Sequence, residues 1–506
     1  MGVLEAVWRG VPPEVRAATD LLRRWGVPAW LVGGAVRDLL LERPTHDFDI
    51  AVEGNGLALA RRVADALHRP FVSLDAERGF GRVMVPQADA LPLAIDFAQL
   101  VGGSLPADLA QRDFTFNAMA LDLGGAEQAV IDPHGGVEDL RRGVVRVVSA
   151  EAFPQDPLRL LRAVRFRAEL GFAVEPHTES LMAEWAEHIR GVAWERVRDE
   201  MCRILEPDGA AEALAYLHRL GLLAPLFPEV AALEGVSQSP PHWQDVLRHS
   251  FGAVAAWEAL QGALSGRPLA GDEPWGQASA EAAVGLAHLG EPIAAHLAEP
   301  LGHERSRRLL LKWAALLHDV GKPRARRVKD DGRITFYGHD AEGGPMAAGV
   351  ATRLRFTRRE VAALGTVVRL HMRPALLANE PTVTRRAVFR FFDEAGPHGV
   401  DVALLSLADR LATWGAQPWT RRLEVVRRLL ESYYLQRELV VAPPKLLSGH
   451  DLLALGVPSG PEVGRLLQRL REAQAEGLVT TREAAVEWVR AGVEGGMEER
   501  AGHERM

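Results

Sequence analysis

The spacing of apolar residues changes period once in this chain, near residue 145, and no other feature limits its fold as much. Before that point, short runs of strand character, PAWLVGG (28–34), HDFDIAV (46–52), FGRVMV (80–85) and LPLAIDFAQL (91–100), are interleaved with helical stretches such as LALARRVADALH (57–68). After it almost every segment repeats at helical spacing, among them PLRLLRAVRFRAEL (157–170), LKWAALLHDV (311–320) and RRLEVVRRLLESYY (421–434). The expected fold is therefore α+β and multi-domain, a mixed sheet with helices followed by an all-α remainder. A length of 506 residues is enough for several domains at roughly 100–200 residues each. The Gly, Pro and Ser content of 262–281 predicts a surface loop, and the polar end 494–506 a frayed tail.

In HDFDIAV the strand period of two puts Asp47 and Asp49 on one face and Phe48 and Ile50 on the other. Convergent carboxylates suit Mg²⁺, a hard cation that keeps waters for substrate phosphates. The preceding strand ends in Gly33 and Gly34 and opens a helix carrying Arg37. Backbone N–H groups, a helix N-terminus and a guanidinium are thus placed to meet phosphate. In LPLAIDFAQL the same alternation lines Leu91, Leu93, Ile95 and Phe97 along one face and leaves Asp96 on the other as a third carboxylate.

These residues belong to a longer ordered series: LVGGAVRD (31–38), DFD (47–49), RDFTFNAMALDL (112–123), DPHGGVEDLRRG (132–143) and DPLRLLRAVRFRAELGF (156–172). The series resembles the bacterial-type tRNA nucleotidyltransferase and poly(A) polymerase family, within the polymerase-β-like nucleotidyltransferases. The resemblance implies a nucleotidyltransferase head at 1–147 holding a pair of Mg²⁺ ions, and a helical neck at 148–235 that selects the nucleotide. It implies tRNA, CTP and, as a second nucleotide, ATP as partners. By position, Asp47 and Asp49 hold Mg²⁺, Asp96 is the third catalytic carboxylate, Gly34 and Arg37 meet the triphosphate, and Arg112 and Asp113 complete the nucleotide site. Gln155 and Gln111 depart from the pattern, standing where the family has an acidic residue and an arginine.

In the neck, Asp156, Arg159, Arg162 and Arg165 recur every third position on a predicted helix. At ~100° per residue this stripe winds through about half a turn, so the four do not all address one small group. Asp156 and Arg159 are the candidate base readers, with Arg162 and Arg165 further along the nucleotide site. A carboxylate accepts from the exocyclic amine of cytosine or adenine, and a guanidinium donates to the adjacent ring nitrogen. Uracil and guanine reverse that polarity and leave both groups unpaired.

A second constellation lies in the all-α part. His318 and Asp319 are adjacent in LLHDVGKP, with His249 upstream in DVLRHS and His339 (FYGHD), His371 (RLHMRP) and Asp409 (SLADRLA) downstream. Imidazole and carboxylate together suit divalent transition metals or Mg²⁺. The order resembles the HD superfamily of metal-dependent phosphohydrolases. That resemblance implies His249, His318, Asp319 and Asp409 as core ligands, His339 and His371 as the extra ligands of binuclear members, and an HD domain at 236–425. The stretch 446–474 resembles the C-terminal tail of such nucleotidyltransferases, giving a helical RNA-binding domain at 426–506 in which Gly449, Gly456, Gly460 and Gly464 mark helix ends.

The function read from these motifs is nucleotide addition at the 3′ end of tRNA. The segment from Phe97 to Gln111, between the third carboxylate and Arg112, is short. Relatives that build the whole CCA end have a longer, flexible segment there, so the resemblance implies a CC-adding enzyme with a separate A-adding partner. Complete CCA addition, poly(A) synthesis, or HD phosphohydrolysis of nucleotides or 2′,3′-cyclic phosphates as the main activity are the alternatives. The net charge of −8 excludes coating nucleic acid by bulk charge alone. The single cysteine, Cys202, leaves no internal disulfide, no apolar run approaches the ~18 residues of a membrane span, and the N-terminus has neither a signal peptide's basic start nor a myristoylation motif. A cytoplasmic setting with no membrane partner is expected.

Overall fold

The computed structural model describes residues 8, 10–87, 91–123, 130–267, 275–303, 305–413 and 419–491. They divide into two compact units, Met1–Ile204 with Arg219–Pro225, and Leu205–His218 with Leu226–Met506. The division falls inside the segment assigned above to the neck.

The first unit is built on a seven-stranded sheet in the order β3-β4-β5-β2-β1-β6-β7. The strands are β1 (Ala29–Val32), β2 (Asp47–Val52), β3 (Phe71–Asp75), β4 (Phe80–Val85), β5 (Leu93–Gln99), β6 (Ala120–Asp122) and β7 (Val130–Ile131). Among these pairs only β2 and β5 run parallel, so the sheet is mixed as expected. The helix Gly56–Leu67 packs on β4 and β5 with Ala60, Val63 and Ala64 buried, a small-residue face that lets helix and sheet approach closely.

Alternation in β2 is as the sequence predicts: Phe48 and Ile50 are buried, Asp47 and Asp49 exposed. Leu91 is different. It precedes β5 and is exposed, so the buried face of that strand begins at Leu93. β3 carries no alternation, because as an edge strand it leaves Val72, Ser73 and Leu74 exposed.

The neck stripe also changes on folding. The helix begins at Arg159, and Asp156 precedes it in an extended conformation, φ −146° and ψ 96°. Pro157 follows Asp156, and the proline ring clashes with a helical residue before it.

The second unit is helical apart from short two-stranded ribbons. Its core forms where Val246–Leu264, Arg307–Leu317, His339–Arg353, Arg358–Leu370 and Gly399–Ala412 pack together around Trp257 and Trp313, both fully buried. Towards the C-terminus, Leu452, Val457, Leu466, Leu470 and Val479 make a separate small core. Gly464 does not mark a helix end as expected but lies inside Pro461–Glu476. In 262–281 the helix Val246–Leu264 continues past the expected loop start and a new one opens at Gly276, while 268–274 and the 494–506 tail lie outside the described residues. One helical stretch, Arg358–Ala378, is long and apolar enough by composition to cross a membrane, although charged residues such as Arg369 and Arg373 interrupt it. It is interrupted at His371 and Met372, and its Ala363, Leu364, Val367 and Val368 are buried in this unit.

Candidate active and metal sites

In the head, the register of β2 and β5 sets Asp49 beside Asp96, with Asp47 two residues back on the same face. Partial desolvation pushes the Asp49 pKa up to about 6; Arg112 opposes that shift, and the nearby Asp96 and Asp47 add to it. A carboxylate that resists ionisation among hard oxygen donors is a site that fits a divalent cation, whose charge removes the repulsion. Gly33 adopts φ +72°, and a Cβ there would lie 2.6 Å from Arg112 Nη1. The missing side chain is what lets the Arg112 guanidinium rest over the turn that leaves β1, next to Asp49. Asp108 holds it there, accepting from Nε and Nη2 at 3.1 and 3.0 Å.

Gly34 begins the next helix, and Arg37 on that helix is held by its own neighbours. Its guanidinium donates to both oxygens of Asp38 at 2.9 and 2.8 Å and to Asn117 Oδ1 at 2.9 Å, and stacks 5.0 Å from the Phe166 ring.

Beside the carboxylates a cavity of about 400 Å³ is lined by Gln111, Arg112, Asp113, Asp156, Arg159, Arg162 and Arg196, among others. Arg159 Nη2 donates to the Gln111 carbonyl at 2.7 Å and Nη1 to the Ala152 carbonyl at 3.3 Å. Its pKa is lowered, chiefly by burial. Asp113 is buried; burial would raise its pKa, but Arg162, 2.6 Å away, together with Asn117 and the Phe114 N–H, holds it low. Arg196 covers both oxygens of Asp156 at 2.8 and 3.3 Å.

Arg165, expected along the nucleotide site, is not brought there. It is buried, pairs with Glu200 at 2.7 Å and Glu169 at 3.0 Å, and packs over Phe166. Two steps of three residues from Arg159 turn it about 120° round the helix, away from the cavity. Arg196, Asp108 and Asn117 escaped sequence reading as site residues. Asn117 stands in the quoted RDFTFNA stretch, whereas nothing local marks Arg196.

In the second unit all six expected residues meet. His318 and His371 each follow the last residue of a helix, His339 begins one, and His249 and Asp409 sit inside two others. His318, His339 and His371 donate Nδ1–H to the carbonyls of Ala315, Phe336 and Val368, at 2.7, 2.8 and 2.6 Å. Each bond leaves the Nε2 lone pair facing inward, the arrangement metal-binding histidines use. Asp319 stands between two groups. Its Oδ2 is 3.1 Å from His318 and 3.6 Å from His249, and its Oδ1 is 3.3 Å from His339 and 3.9 Å from His371. Asp409 Oδ1 closes the first group, 3.1 Å from His249. Gly321 supports this packing, since a Cβ there would collide with the His339 carbonyl.

Burial disfavours a charged His318, yet Asp319 and Asp409 override it and hold its pKa up at about 10. His371 goes the other way, to about 3, from burial and from the neighbouring His339 and His318. Nε2 pairs of 3.3 Å (His249–His318) and 3.2 Å (His339–His371) place acceptor against acceptor unless a proton or a cation lies between. The donor set therefore fits divalent metal in two adjoining groups, His249, His318, Asp319 and Asp319, His339, His371. In front of it lies a cavity of about 390 Å³ whose lining includes Lys322, Arg333, Arg410 and Arg422.

Three family models match the chain: the poly A polymerase head domain over 29–146, the probable RNA and SrmB-binding site of polymerase A over 171–233, and the HD domain over 282–414. The A-adding tRNA nucleotidyltransferase of Deinococcus radiodurans is 36% identical, over 90% of this chain and 94% of that one. The chain belongs to the tRNA nucleotidyltransferase family. Members named CC-adding, from Thermus thermophilus and Geobacter sulfurreducens, are 35% and 33% identical, over 90% and 92% of this chain and 92% of each relative. The fold is that of solved CCA-adding enzymes, one in complex with CTP (TM-score 0.63, 22% identity, 98% and 99% of the two chains) and one from Thermotoga maritima with tRNA (TM-score 0.58, 22% identity, 97% and 99%). Within this nucleotidyltransferase, His249 lies ahead of the matched HD span, and helix packing joins it to the other candidate residues.

Proposed function

We propose that this chain transfers CMP from CTP to the 3′ end of tRNA and stops after the second C, leaving the terminal A to another enzyme, in the cytoplasm where tRNA and nucleotides meet. The observation that carries the transfer is the junction of the carboxylates Asp47, Asp49 and Asp96 with the cavity of Arg112, Asp156 and Arg159. Asp47 and Asp49 hold a pair of Mg²⁺ ions, which supply charge stabilisation at the α-phosphate and a more acidic 3′-hydroxyl. Gly33, Gly34 and Arg37 border the triphosphate, Arg112 neutralises it beside Asp49, and the attack is in line, with pyrophosphate leaving. Asp113 holds Arg162, and Asp156 with Arg159 reads the base.

Support for stopping at C comes from the segment 97–111. Past the end of β5 it folds as a turn at Val101–Gly103 and a helix at Leu105–Ala110, and the Asp108 side chain ties both ends, accepting from the Val101 N–H and from Arg112. No length is left over for a lever across the base. Three of the relatives matched over most of their length carry CC-adding names, and one an A-adding name, which makes A addition the second reading.

For the second unit we propose hydrolysis of phosphate esters: His249, His318, Asp319, His339, His371 and Asp409 would hold divalent metal, which would supply an activated water and charge stabilisation, and cations line the cavity to receive the phosphate. The division of labour proposed along the chain remains head 1–147, neck 148–235, HD 236–425 and RNA-binding tail 426–506.

The test is to incubate the enzyme with tRNA lacking its end, ending in C, or ending in CC, with each nucleotide separately, and to size the products. Two C additions and none of A are expected. Efficient conversion of CC to CCA by this chain alone overturns the CC-only reading.

A further inference from the structure

Arg82 has no place in the reading above, yet it reaches the catalytic carboxylates. Antiparallel pairing sets Arg82 on β4 opposite Asp96 on β5, and parallel pairing sets Asp96 opposite Asp49 on β2. One guanidinium and two carboxylates thus line up across three neighbouring strands. The contact is a fork: Arg82 Nε donates to Asp96 Oδ1 at 2.7 Å and Nη2 to Oδ2 at 2.8 Å. Both side chains are largely covered, at 32% and 20% exposure, so water does not simply screen the pair. Asp47 and Asp49, on the same face, have no comparable hydrogen-bonded partner among the described residues. The third carboxylate is therefore satisfied before any metal arrives, and the other two are not.

We propose that Arg82 is a positioning residue that reserves the head metal for Asp47 and Asp49, by occupying both oxygens of Asp96 and cancelling its charge. Asp96 then serves as a fixed neighbour of the reacting groups rather than as a third permanent metal ligand. This rests on the head being a metal-dependent transferase. Freeing Asp96 by Arg82→Gln adds a hard oxygen donor and removes a cation, so metal binds more tightly while turnover falls, because the freed carboxylate is no longer held. Asp96→Asn leaves the Arg82 charge uncompensated beside the metal and weakens binding. The double variant Arg82→Gln/Asp96→Asn is again neutral at this pair and returns towards wild type. A pair that only stabilised the sheet would weaken binding in every variant.

The experiment measures Mn²⁺ binding to the full-length chain by electron paramagnetic resonance, with Asp47→Asn/Asp49→Asn as the background that subtracts ions held outside the head. Tightening by about threefold or more is expected for Arg82→Gln, weakening of similar size for Asp96→Asn, and near wild-type binding for the double variant. Arg82→Gln binding no tighter than wild type overturns the proposal. Should that variant fail to fold, Asp96→Asn decides, and unchanged or tighter binding there overturns it equally. A wild-type chain that adds no nucleotide to tRNA overturns the transferase reading instead, and the order of metal affinities still judges Arg82.

Discussion

Asp49 shows how one side chain records what its neighbours lack. Its pKa of about 6 lies above the ordinary carboxylate value, so its contribution to stability is fully present below about pH 4 and is lost as pH rises through 6. Asp49→Asn imitates the protonated form. In chelator the variant should therefore melt higher than wild type near pH 8 and level with it near pH 4, read by calorimetry. The same variant should keep less than about one per cent of nucleotide transfer, since metal stabilisation supplies several kcal/mol of the barrier. Asp156 differs, because Arg196 and the Leu158 N–H already donate to its oxygens, and on the proposed reading a base amine would compete with them. Asp156→Ala should lose discrimination of CTP against UTP by about 1–3 kcal/mol while tRNA affinity changes little, measured as the ratio of kcat/KM values.

At the scale of elements, helix packing decides which polar groups are satisfied. Asp401, fully buried on Gly399–Ala412, receives Arg307 Nη1 at 2.6 Å and faces His296 Nε2 at 2.8 Å. Burial would raise its pKa, but His296, His398 and Arg307 together hold it near 2. Its contribution is therefore present above about pH 4 and fades as pH falls towards 2. Arg307→Met leaves that carboxylate buried without its cation and should cost about 3–5 kcal/mol at pH 7 in urea unfolding. The residues of the proposed HD metal site follow the same logic. His318 and His371 cap helix ends through i to i−3 bonds from Nδ1, so the bonds that satisfy the helix carbonyls also turn Nε2 towards Asp319.

At the scale of the molecule, the two candidate sites draw their ligands from different units. His318→Ala and Asp319→Ala should each remove metal-dependent phosphoester hydrolysis and lower the bound transition metal per chain, while nucleotide addition continues. Loss of both activities in one folded variant would show that the units are energetically coupled. What the amino-acid sequence determined alone was local: the change of period near residue 145, the parity that exposes Asp47 and Asp49, and the order of motifs that marks the family. These depend on near neighbours, and period and parity survive any packing. Tertiary structure decided the partners. Arg82 meets Asp96 through strand register, Arg196 meets Asp156 across 40 residues, and His249 meets Asp409 across 160. Arg165 was lost to the site because helix rotation turned it to Glu200, and Asp156 left the helix because Pro157 follows it. Such pairings depend on which surfaces bury against each other, a property of the folded chain that no short window of sequence contains.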